Sequence, residues 1–110
     1  MAGTPLRDNY TIGIEGTDDL LYADVPSLEP GSIVLVTTWN SEYYLEIQDE
    51  TWRTGRVIAA GGQFDPYGQV EIRLRRPCIW LNDQLDFHHV TERANQGSTS
   101  PIKRIEIVAP

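Results

Sequence analysis

Short segments that alternate apolar and polar residues recur along this chain, each closed by turn residues. Tyr43, Leu45 and Ile47 alternate with Tyr44 and Glu46; Val70, Ile72 and Leu74 alternate with Glu71, Arg73 and Arg75; Ile105 and Ile107 alternate with Arg104 and Glu106. A period of two places one set of side chains on a buried sheet face and the other in water. The pattern predicts strands over Ser32–Trp39, Glu42–Ile47, Trp52–Ala60, Gln69–Arg75 and Ile102–Val108. Ser32–Trp39 is β-branched and apolar on both faces at Ile33–Val36, which predicts a strand deep in the fold. Asn40-Ser41 reads as the tight turn of an antiparallel hairpin, and Gly55 as a bulge inside the third strand. Ile79–Leu81 and Leu85–His89 flank Asn82-Asp83-Gln84 as a second tight hairpin, and the last strand is expected to pair with an early one.

No sustained helical period and no internal repeat interrupt this pattern. One turn of helix is expected over Asp18–Ala23, capped by Thr17, and a short strand around Tyr10–Ile14 would add to a sheet edge. Thr91–Ser100 reads as a polar loop. The expected fold is therefore all-β: a single small antiparallel β-barrel or sandwich of about six strands, with an N-terminal arm. Residues 1–27 form the acidic, partly flexible arm and residues 28–110 the domain.

Charge adds an asymmetry. The chain of 110 residues carries a net charge of −7. Residues 1–30 hold six acids (Asp8, Glu15, Asp18, Asp19, Asp24, Glu29) and one base, Arg7, so the body is close to balance. A phosphate backbone is an unfavourable partner for such a chain as a whole, which argues against nucleic acid. No run reaches the length of a membrane helix, and no basic region followed by an apolar core opens the sequence; a cytoplasmic protein is the expectation. Cys78 is the one cysteine, and in its apolar surroundings it reads as a small buried hydrophobe.

Three short elements carry a resemblance: Leu28-Glu29-Pro30-Gly31-Ser32-Ile33-Val34, Asn40-Ser41-Glu42-Tyr43, and Thr99-Ser100-Pro101-Ile102. With them the chain resembles a group of small uncharacterised bacterial all-β domains over about residues 28–108. The resemblance implies a compact antiparallel β-fold and brings no activity.

Candidate chemistry is sparse. His88-His89 is the one histidine pair, and on a strand the two rings point to opposite faces. Asp86 and His88 would share a face, giving two metal ligands where a zinc site uses three or four. Nothing like a nucleophile elbow surrounds Ser41 or Ser100, and Gly61-Gly62 lacks the lysine of a phosphate loop. No cofactor is expected. Arg73, Arg75 and Arg76 form the basic cluster; Glu42 and Glu46, on the outward face of the first hairpin, are expected to pair with it across strands.

The sequence thus favours a non-catalytic module that binds a protein partner or a second copy of itself. Trp52, Phe64 and Tyr67 would be the apolar anchors, and Arg53, Arg73 and Arg75 the rim that fixes orientation. Edge-strand pairing into a homodimer is a second route. Two other classes compete: a small metal-dependent hydrolase using Asp86 and His88, and a single-strand nucleic-acid binder using Arg73 and Arg75 with stacking aromatics.

Overall fold

The computed structural model describes residues 20–90 and 96–110. The first hairpin forms where the alternation placed it. Strands β2 (Ile33–Thr38) and β3 (Glu42–Ile47) pair antiparallel, with Val36 opposite Tyr43 and Val34 opposite Leu45 on the buried face. Thr38 closes the turn: its Oγ1 accepts from the backbone N–H of Ser41 at 3.1 Å and of Asn40 at 3.3 Å. Strand β4 (Arg56–Gly61) continues the sheet, and a 3₁₀ segment over Gly62–Tyr67 leads into β5 (Gln69–Leu74). Gly62 has φ +48°, and a Cβ there would lie 2.3 Å from Cζ of Tyr43, so any other residue strains this corner.

Nine strands are present among the described residues, in two antiparallel sheets. Strand β1 (Tyr22–Asp24) pairs with β6 (Cys78–Trp80) as a ribbon. The main sheet has the order β8-β7-β5-β4-β3-β2-β9, with β7 at Asp86–His89, β8 at Gln96–Ser98 and β9 at Ile102–Val108. It ends at β8 and β9 and does not close into a barrel. Its inner face, with Val34, Leu45, Val57, Ile72, Phe87 and Ile105 among its buried side chains, is part of one core that also takes in Leu20, Ala23, Val25 and Ile79 from the ribbon and its flanks. Leu20 donates its N–H to Ile105 O (3.3 Å) and Val25 to Pro77 O (3.0 Å), tying the ribbon to the main sheet and to the turn before β6.

Several expectations are corrected. Leu20, Ala23 and Val25, within the expected arm, contribute side chains to the core; the expected strand at Tyr10–Ile14 lies outside the described residues. Leu20–Ala23 is not a helical turn but a bridge followed by β1, because pairing with β6 satisfies its backbone. Thr51–Thr54 is a single helical turn, α1, and not the start of a strand. Its two threonines bond local backbone in place of a ladder, and Gly55 is its left-handed cap (φ 75°), not a bulge. β6 and β7 are not a hairpin. Asn82, at φ 68°, turns the chain away, and bonds from Asn82 N–H to Ile102 O (2.7 Å) and from Ile102 N–H to Asp83 O (2.9 Å) fasten that turn to β9. Part of the expected polar loop at 91–100 is strand β8. β2 is not enclosed on both faces: Val34 and Val36 are buried, while Ile33 and Leu35 are half-buried on the outer face. The last strand does pair with an early one, β2; the register slips between Thr37 and Thr38, which leaves Lys103 as the extra residue of a bulge.

Candidate functional site

The six residues expected to form one binding surface separate into four places. Phe64 is 1% exposed and packs edge-on against Tyr43 (5.7 Å between centroids) and Phe87 (5.2 Å); it is a core residue and no anchor. Tyr67 is 70% exposed, at the end of the sheet where Ala60 pairs with Gln69. Trp52 is 64% exposed at the opposite end, where Arg56 pairs with Arg73. A strand rises about 3.3 Å per residue, so the length of β4 separates Tyr67 from Trp52. Tyr67 and Trp52 therefore do not belong to one aromatic patch.

Trp52, Arg53 and Arg75 do meet, at a groove of about 220 Å³ between α1, the Arg75–Pro77 turn and the 3₁₀ turn over Val25–Ser27. Pro26 and Pro77 form part of its wall. The local sequence holds Trp52 in place through its neighbours. Thr51, itself buried, accepts from the N–H of Gln48 at 2.7 Å and donates to Arg56 O at 2.5 Å. Thr54 Oγ1 donates to Glu50 O at 3.0 Å, and Gly55 N–H closes the turn on Thr51 O at 2.9 Å. With both flanks clamped, the indole projects into solvent on a fixed backbone. Arg53 forms an ion pair with Glu50, and Arg75 donates to Gln96 Oε1 at 3.2 Å.

Arg73 lies on the adjoining outer face of the sheet. The expected pairing of Arg73 and Arg75 with Glu42 and Glu46 does not occur, because β3 lies between β2 and β4 and never touches β5. Glu46 stands opposite Ile33 and Ile58, and Glu42 opposite Thr37. Arg73 instead stands directly between Arg56 on β4 and His88 on β7. Together with His89 and Val90 these three line a depression of about 360 Å³. Arg56 reaches Glu71 at 3.8 Å, both side chains being well exposed, while Arg73 has no ion-pair partner among the described residues. Arg56 was not singled out from the sequence. The signal for it was the turn at 61–68: a hairpin folded there sets 56 against 73.

His88 and His89 do point to opposite faces. The His89 ring packs edge-on against Phe64 and Phe87 at 5.9 and 5.7 Å. Asp86 is engaged by Arg76 (3.3 Å), which also bonds Asp83 at 2.9 Å. The Arg76 hydrogen bond and the N–H of Gln84 hold the Asp83 carboxyl below its usual range. No group of three His, Cys, Asp or Glu placed to hold a metal occurs among the described residues. Cys78 is half-buried and not enclosed, with its Sγ 3.9 Å from Asp24 Oδ1. Burial, then the Asp24 charge, raise its pKa, so the thiol resists ionisation. No helix among the described residues is long and apolar enough to cross a membrane.

Comparison of the chain with models of protein families, with curated proteins and with solved structures finds no match.

Proposed function

We propose that the protein is a non-catalytic binding module that seats a short segment of a partner protein against Trp52. The observation that carries this reading is the 64% exposure of Trp52 on a backbone held from both sides, beside Arg53 and Arg75. Exposed tryptophan and arginine are the types that dominate binding energy, and a fixed anchor loses little entropy on docking. A groove of about 220 Å³ takes one or two side chains, whereas small-molecule sites are larger and more enclosed. Arg53, Arg56, Arg73, Arg75 and Arg76 crowd this end of an otherwise acidic chain that has nine basic residues in all. They favour a partner segment with acidic residues around an apolar one. Self-association by edge pairing takes second place. Edge strand β8 has only three residues, and edge strand β9 carries a bulge with Lys103 and Arg104 exposed, both devices that discourage strand addition.

A displayed peptide library tests the reading. The wild type should enrich peptides with acidic residues flanking an apolar one, and Trp52→Ala should lose that enrichment while keeping its melting temperature. Identical enrichment by the two proteins would overturn it.

A further inference from the structure

The structure assigns a second site beside the Trp52 groove: the Arg56–Arg73–His88 row is built to take a phosphate-class oxyanion. Directly opposed residues on neighbouring strands stand about 5 Å apart, and like charges placed so destabilise a sheet. Arg56 and Arg73 are such a pair, in register on β4 and β5, and His88 extends the row by one more strand. The nearest relief is a 3.8 Å contact from Glu71 to Arg56, with both side chains about two-fifths exposed, which is worth little in water. Arg73, in the middle, receives none from the described residues. The unfavourable pairing sits over a depression of about 360 Å³, room enough for a phosphoryl group and part of the molecule that bears it.

The chemistry fits a tetrahedral dianion better than a carboxylate. Two guanidinium groups offer paired N–H donors to separate edges of a phosphoryl group, and the imidazole adds a third direction. Arg75, held on Gln96, borders the same face, and Gln96 stands opposite His88. A ligand here neutralises the row, so binding and relief of repulsion are one event. This site does not require the Trp52 groove to be occupied.

The test is a titration with inorganic phosphate, at constant ionic strength set with chloride, followed by amide NMR and thermal melting. Shifts should saturate and centre on residues 56, 73 and 88. The melting temperature should rise by about 5 °C when phosphate reaches ten times its dissociation constant. Without phosphate, Arg73→Gln should melt at or above the wild type, because a repulsion is removed, and its phosphate affinity should fall at least tenfold. Arg56→Gln should behave alike, which covers the case where one variant folds poorly. Trp52→Ala should keep the full phosphate response. Phosphate shifts that never saturate, or that are equal in wild type and both arginine variants, would overturn the proposal, as would saturation equally strong with acetate. Trp52→Ala keeps the two readings apart: it should lose peptide enrichment while keeping the phosphate response.

Discussion

Phe64→Ala separates a core aromatic from a surface anchor. The ring is 1% exposed, and it meets Tyr43, Phe87 and His89 edge-on at 5.7, 5.2 and 5.9 Å. A phenylalanine buries roughly 150–250 Å², and at about 25 cal/mol per Å² its full transfer is worth about 4–6 kcal/mol. Alanine retains part of that area, but a cavity remains among rings that cannot collapse together. The expected loss is therefore about 3–5 kcal/mol. A domain of this size has about 5–15 kcal/mol in total, so the variant should be folded but close to its limit. Urea unfolding measures the effect: the midpoint should fall sharply with an unchanged slope. Phe64→Leu, which refills much of the space, should recover more than half. Trp52→Ala in the same assay should stay within about 0.5 kcal/mol of wild type. A loss below about 1 kcal/mol for Phe64→Ala, together with a larger one for Trp52→Ala, would refute the placement of both rings.

The same reasoning extends to three other positions. Thr51→Val keeps the shape but removes the hydroxyl that joins Gln48 N–H to Arg56 O; it should cost about 1–3 kcal/mol by urea unfolding and broaden the Trp52 indole NMR signal. Gly62→Ala should destabilise by more than about 1 kcal/mol, since φ is +48° and the new methyl collides with the Tyr43 ring; equal stability would show that this corner can move. Cys78 should react slowly with iodoacetamide at pH 8, because its thiolate form is suppressed, and Asp24→Asn should speed the reaction; the rate of an ordinary exposed thiol in the wild type would contradict the environment described.

The alternation of apolar and polar residues was enough to specify the class of fold, the first hairpin and most of the inner face. Tyr43, Leu45, Ile47, Ile72, Leu74, Ile105 and Ile107 are all buried as their period requires. That signal is local, since the pleat sets it two residues at a time. Where local chemistry competed, the pattern misled. Apolar Trp52 invited an extended reading, but Thr51, Thr54 and Gly55 satisfy the backbone within one helical turn. Phe64 lies between two glycines and a proline and reads as a surface anchor, yet the 3₁₀ segment folds it back onto Phe87.

Strand order lay beyond the sequence, because pairing partners are chosen by how the whole apolar surface is covered and not by neighbours along the chain. That order decided the candidate sites. It separated Arg73 and Arg75 from the glutamates of β3, set Arg73 between Arg56 and His88, and gave Asp86 to Arg76. The sequence by itself determined which residues of the alternating strands β3, β5 and β9 turn toward the core. Only the tertiary structure determined which charges face one another, since that depends on contacts across strands far apart in the chain.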